Sequence, residues 1–233
     1  MTYLKFISDK NLITAVNNVI QVIEKAENRT DENMYKNVID PFSALFHGIT
    51  KCISCKNWMD QEKARQTQKT MQNSIGEFHQ NILGAVSGWK NLRMGQGLDI
   101  VNDKMKMVVE IKNKYNTTKG NHLVKLYDDI KTTLKENKYK NYTGYYVEII
   151  SRGRKIFDKP FIPSQKGKRR PTRKKIRVID GVSFYAMATG RKNALQELFE
   201  TLPKVIADQH RYKLNEKEIK EYFKLFRMAF STE

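Results

Sequence analysis

Residues 97–112, GLDIVNDKMKMVVEIK, contain two short apolar runs separated by a polar NDK. Three charges interrupt them: Asp99 in the first run, and Glu110 and Lys112 at the close of the second. Leu98–Val101 and Met105–Ile111 read as strands, with Asn102–Asp103 as a turn-prone pair between them. Residues equidistant from an antiparallel turn lie side by side, so a turn centred near residue 104 brings Asp99 next to Glu110. Glu110 and Lys112 are two residues apart on a strand and share a face. The competing reading is a plain hairpin with wet edges. Convergence explains the placement of the charges better, because two carboxylates held close together repel and call for a cation. Hard oxygen ligands suit Mg²⁺, which would polarise a phosphodiester, acidify a bound water and shield developing charge, while Lys112 would stabilise either a metal-bound hydroxide or the pentavalent intermediate.

The surrounding pattern supplies an α/β setting. Before Gly88 the chain reads as helices. Ser8 caps a helix carrying Leu12, Val16, Val19, Ile20 and Ile23 on one face. Asp40–Pro41 starts a second helix with Leu45, Phe46 and Ile49. Trp58–Asn73 is a polar, solvated helix, and Ser74 opens another with Ile75, Phe78, Ile82, Leu83 and Val86 inward. After the two strands comes a helix over His122–Glu136, then a strand, YTGYYVEII, over Tyr142–Ile150. A basic, proline-punctuated loop fills residues 152–177. Ile176–Ile179 and Val182–Ala188 suggest a hairpin turned at Asp180–Gly181, and Arg191–Ile206 and Glu216–Phe230 read as terminal helices that serve either core or interface. We read one domain over 1–233: a helical segment 1–88, a core 89–150, and a basic loop, hairpin and terminal helices over 151–233.

Charge points to the partner. Lys and Arg number 43 against 25 Asp and Glu, a net charge of +18 that favours a polyanion. Lys166–Arg177, KGKRRPTRKKIR, carries eight basic residues and no acid. Most of these are expected on phosphates, including Lys168, Lys174 and Lys175. One or two of Arg169, Arg170 and Arg173 are candidates to read guanine. Asn113, Lys114, Asn116 and Thr117 follow the second strand directly. They are either close to the scissile phosphate and adjacent bases or simply a polar loop. No apolar run reaches the roughly 20 residues that span a bilayer, and the start lacks a secretory signal, so a cytoplasmic protein is expected. Cys52 and Cys55 make a single C-x-x-C, half of a zinc site, and are expected to be structural thiols.

Asp99, Glu110 and Lys112 in this context resemble the PD-(D/E)XK nuclease core, with Leu98 standing where the motif's name has proline. More specifically, the chain resembles a family of small type II restriction endonucleases that cut GGNCC-type sites. The likeness is carried by FISDKNL near the start, GEFHQNI at 76–82, GLDIVN, VEIKNKYNT and GVSFYAMATGRKNAL at 181–195. It implies a mixed sheet flanked by helices, Mg²⁺ held by Asp99 and Glu110, and Lys112 as the catalytic lysine. It also implies a helix residue that steers the metal, either Glu77 or Gln80. For Glu77 a capping box with Ser74 is the equal alternative, and the adjacent His79 reads as structural. Double-stranded DNA as substrate, a two-fold homodimer and a cognate DNA methyltransferase complete the expectation. Two other readings remain: a structure-specific resolvase or repair nuclease, and a non-catalytic basic nucleic-acid-binding protein.

Overall fold

The structure is a computed structural model that describes residues 2–28, 39–92, 97–117, 120–210 and 215–230. The chain divides into two compact units, Met1–Val16 with Gly76–Glu233, and Asn17–Ile75. Among the described residues the helices are α1 (Asp9–Glu27), α2 (Pro41–Lys51), α3 (Cys55–Gly84), α4 (Gly120–Thr133), α5 (Gly181–Thr189), α6 (Ala194–His210) and α7 (Glu216–Ala229). The strands are β1 (Trp89–Asn91), β2 (Ile100–Asn102), β3 (Met107–Lys114), β4 (Thr143–Ile150), β5 (Asp158–Pro160), β6 (Ser164–Gln165), β7 (Lys168–Arg169) and β8 (Ile176–Asp180). No helix among the described residues is long and apolar enough to cross a membrane.

Among the described residues six strands form one mixed sheet in the order β1-β2-β3-β4-β8-β5, and β6 and β7 form a separate ribbon. The central strands β3, β4 and β8 run parallel, while β1, β2 and β5 pair antiparallel at the edges. The parallel strands are the apolar ones, as burial on both faces requires. One face carries Val108, Tyr146, Ile176 and Val178 against Leu126, Tyr127 and Ile130 of α4. Gly144 permits that approach, since a Cβ there would lie 2.2 Å from Ile130 Cγ2. On the other face of the sheet, Phe184 of α5 packs edge-on to Trp89 of β1 and tilts against Tyr145 of β4. Gly181 opens α5 so close to β4 that a Cβ would meet the Ile149 carbonyl at 2.5 Å.

Three sequence expectations change here. First, α3 runs unbroken through Ser74, which is buried inside it. Its N-terminal turn is held instead by Ser54, whose hydroxyl accepts from the Asn57 amide at 3.2 Å. The preceding turn already satisfies the amides around 74–77, so the S-x-x-E pattern has no free helix start to cap. Second, Val182–Ala188 is helix α5 and not the second arm of a hairpin. Asp180 is its N-cap, accepting from the Ser183 amide at 2.9 Å, while its other oxygen takes the Phe157 amide at 2.7 Å. The Asp-Gly pair was read as a turn, but the buried Phe184, Tyr185 and Ala188 follow a helical spacing rather than an alternating one. Third, the basic loop holds β5, which pairs with β8, and the β6–β7 ribbon. As expected, Ser8 caps α1, its Oγ accepting from the Asn11 amide, and Asp40 caps α2 with Pro41 in the first turn.

The unit holding the sheet also buries His79 of α3, with its Nδ1 2.8 Å from the Tyr185 hydroxyl. Burial pulls the imidazole down to about 4, so it is neutral in the fold. The unfolded chain takes up that proton near 6.5, so it binds more protons than the native state between the two values. Stability is therefore expected to be complete above pH 6.5 and to fall by about 3 kcal/mol as pH drops to 4. Urea denaturation at pH 7 and pH 4.5 measures this. A His79→Gln variant, which keeps a polar partner for Tyr185 but does not titrate, should show a flatter profile.

Candidate active site

The turn after β2 spans Asp103–Lys106, and Asn102 Oδ1 fastens it by accepting from the Met105 amide at 2.9 Å. The resulting register sets Ile100 opposite Val109 and Val101 opposite Val108, which carries Asp99 to the level of Glu110. The ladder itself stops short of that level. The Asp99 amide donates to the Val109 carbonyl at 2.9 Å, and Asp99 Oδ2 accepts from the Ile111 amide at 2.7 Å. A side-chain carboxylate thus completes the backbone pairing of β3 where β2 ends. This fixes one oxygen of Asp99 beside the strand that bears Glu110 and Lys112.

Lys112 Nζ lies 2.6 Å from Glu110 Oε1 on the shared face of β3. The Glu110 side chain is only 14% exposed and that of Lys112 38%. Burial raises the Glu110 carboxyl well above the ordinary range, and the neighbouring Asp99 and the more distant Asp129 of α4 push it further, against the pull of Lys112. Burial also raises Asp99, opposed by the Ile111 amide and Lys112. The Lys112 ammonium is disfavoured by burial, yet the carboxylate of Glu110 and the charge of Asp99 more than compensate and hold it above its usual value. Two half-buried acids therefore face one amine, and the cluster carries more latent negative charge than its own cation offsets.

This environment fits a divalent cation. Two carboxylates whose ionisation is resisted by burial and by each other are stabilised as anions by a hard positive ion between them. Among the described residues no group of three or more His, Cys, Asp or Glu side chains is arranged as a metal cage. Magnesium characteristically takes one or two carboxylates and completes its shell with water and substrate phosphate, which the pair Asp99 and Glu110 matches.

The other candidates fall into separate places. Gln80 reaches the site indirectly, its Nε2 donating to the Asp99 backbone carbonyl at 3.4 Å. Glu77 lies one turn earlier on α3, exposed, and inside the helix rather than at its cap. Asn113 and Lys114 close β3, and Asn116 and Thr117 form a short 3₁₀ turn beyond it, with Thr117 Oγ1 donating to the Lys114 carbonyl at 2.7 Å. Lys168 and Arg169 are exposed on β7. The ribbon turns tightly at Lys166–Gly167, both at positive φ (47° and 79°), with Gln165 paired to Lys168 and Ser164 to Arg169. Arg170 differs from its neighbours: its guanidinium is ion-paired to Asp128 of α4, and its amide donates to the Pro163 carbonyl at 2.9 Å. Next to it the Tyr127 hydroxyl donates to the Pro171 carbonyl at 2.6 Å, so α4 clamps the ribbon's base. Arg173, Lys174 and Lys175 lie elsewhere. With Lys131, Lys135 and Lys140 they line a cleft of about 360 Å³ containing six cations and no acid, near the N-terminal ends of β4 and β8.

Two acids near the site were not singled out from sequence. Asp129 acts on Glu110 from α4. Glu148 occupies the position on β4 in register with Lys112, and its carboxyl is raised by burial against the opposing effects of Tyr146 and Lys159. Only the parallel register of β3 and β4 reveals Glu148, and no local spacing encodes that register. Cys52 and Cys55 are free and exposed, with Cys52 in the left-handed cap that ends α2.

The mixed sheet with helices on both faces is consistent with a PD-(D/E)XK nuclease-like fold. Residues 4–210 match the family model of the Eco47II restriction endonuclease. The chain is 40% identical over 212 residues to the type II restriction enzyme Eco47II of Escherichia coli, an alignment covering 88% of this chain and 87% of that enzyme. It is 30% identical over 212 residues to the type II restriction enzyme Sau96I of Staphylococcus aureus, covering 88% and 80% respectively. The molecule is thus a type II restriction endonuclease, a site-specific hydrolase of double-stranded DNA. It belongs to the Eco47II restriction endonuclease family.

Proposed function

We propose that this endonuclease cuts both strands of a short palindromic, interrupted site of the GGNCC type. It does so with Mg²⁺, as a homodimer, in the bacterial cytoplasm beside a cognate DNA methyltransferase. We further propose that residues 1–233 act as one endonuclease domain. The observation that carries the reading is the half-buried meeting of Asp99, Glu110 and Lys112 on β3 and the end of β2. Asp99 and Glu110 are the residues that would hold the ion. Once bound, Mg²⁺ supplies a Lewis acid for the scissile phosphate and neutralises its charge.

The remaining steps belong to the protein. Lys112 presents a compact ammonium at the Glu110 carboxylate, where it stabilises negative charge as the phosphorus becomes five-coordinate. The Ile111 amide fixes which Asp99 oxygen stays with the backbone and which turns to the site. Gln80 holds the peptide that carries Asp99, and Glu77 steers the approach from one helical turn away. Asn113, Lys114, Asn116 and Thr117 contact the strand being cut. The β6–β7 ribbon places Lys168 and Arg169 against a groove, since a two-stranded ribbon fits the major groove and arginine reads guanine O6 and N7. Arg170 is assigned as the ribbon's anchor through Asp128. Arg173, Lys174 and Lys175, in the cleft without acids, take backbone phosphates.

Incubation of a fully sequenced plasmid with and without Mg²⁺, followed by mapping of the ends, tests the whole reading. Discrete fragments in Mg²⁺ and none in EDTA are expected, with every end at one interrupted five-base sequence. Cleavage confined to branched DNA would assign the chemistry to a structure-specific nuclease instead.

A further inference from the structure

Helix α2 presents an unusual balance of surface. It has 11 residues, none of them buried, yet Phe42, Leu45, Phe46 and Ile49 are 72%, 59%, 69% and 68% exposed. These four recur at the i, i+3, i+4 and i+7 spacing of one helical stripe. A helix of this length is marginal in water on its own, because nucleation cost is recovered only by packing an apolar face. Its Asp40 cap and left-handed Cys52 end satisfy the backbone but give the stripe no cover. The exposed apolar area of the stripe is on the order of 500 Å², as large as the largest patch of a typical monomer.

We propose that the α2 face is where a second copy of this chain docks, so that α2 packs on its two-fold mate. Three observations select a second copy over another partner. The stripe carries no charge to be matched, so it is complementary to itself, as an isologous interface requires. Beside the stripe lies a cleft of about 660 Å³ walled by Phe46 and Trp58 and rimmed by Asp40, Glu62 and Arg65, which gives each copy both a ridge and a groove. Two such faces together remove on the order of 1,000 Å² from water, the threshold for a specific interface. Helix α7 also exposes Tyr222, Leu225 and Met228, but its Phe226 is anchored within the chain against Phe199 at 4.7 Å, whereas no residue of α2 is buried. The inference rests on the homodimer reading above and names its contact surface.

Sedimentation of the purified endonuclease at micromolar concentration is the test, with wild type alongside Phe46→Asp and Ile49→Asp, neither of which is in the catalytic site. Wild type is expected to sediment as a dimer, and each variant to weaken self-association by at least about 100-fold, to a monomer, with an unchanged circular dichroism spectrum. On supercoiled plasmid the variants should accumulate the nicked circle before the linear form. A monomeric wild type would overturn both this inference and the homodimer reading. Dimeric variants beside a dimeric wild type would overturn the assignment of the face alone. Hydrogen exchange of the wild-type α2 amides, compared at high and low protein concentration, decides the matter even where a variant fails to fold. Protection that rises with concentration supports the proposal; protection independent of concentration sinks it.

Discussion

Asp99→Asn is expected to lower single-turnover DNA cleavage by about 10³-fold while leaving the thermal midpoint within a few degrees of wild type. The separation follows from the two roles of one side chain. Asp99 Oδ2 accepts from the Ile111 amide where the β2–β3 ladder ends, and an asparagine oxygen accepts the same bond. What asparagine removes is the charge, and that charge is disfavoured by burial in the resting protein. Its loss therefore relieves the fold while depriving the site of half its anionic donor set. Asp99→Ala should lose the same activity and also leave the Ile111 amide unpaired, at a cost of about 1–3 kcal/mol. DNA binding without metal should be no weaker in either variant, because an acid has left the neighbourhood of a phosphate. Cleavage within tenfold of wild type for Asp99→Asn would remove this residue from the chemistry.

How much of this was readable from residues alone differs by element, for physical reasons. The hairpin of β2 and β3 was legible because its register depends on a local turn, and a turn of four residues centres the pairing on one point. The pairing of β3 with β4 was not, since parallel strands are joined through α4 and their register is set by packing across the sheet. That is why Glu148, level with Lys112, went unnoticed while Lys112 itself did not. The helix at Gly181 was misread because Asp-Gly serves equally as a hairpin turn and as a helix cap followed by a residue without Cβ. Its close contact with the Ile149 carbonyl, a long-range fact, decides between them. The basic run shows a similar limit. Composition marked eight cations alike, but Arg170 is tied to Asp128, 42 residues away in sequence, and Arg177 to Asp158, so those two hold the scaffold and leave the exposed neighbours Lys168 and Arg169 to face outward.

Lys112→Met should reduce cleavage by about 10³-fold, comparably to loss of Asp99, and for a different reason. Methionine keeps the length and packing of the side chain while removing the ammonium that contacts Glu110 at 2.6 Å. Two readings of Lys112 are then distinguishable. If it served only to neutralise Glu110, any cation of similar reach would do, and Lys112→Arg would restore the rate. If the ammonium acts on charge developing at the phosphorus, the planar, more diffuse guanidinium is a poor substitute, and Lys112→Arg should recover no more than about tenfold. The acids supply an internal control. Without Lys112 the half-buried Glu110 and Asp99 have lost a cation that opposes their mutual repulsion, so Glu110 should hold its proton to higher pH. Calorimetric titration of the Met variant with Ca²⁺ in the absence of DNA should then show metal uptake coupled to greater proton release than in wild type. Full activity in Lys112→Arg, together with the raised proton release of Lys112→Met, would reduce Lys112 to a counter-ion of Glu110.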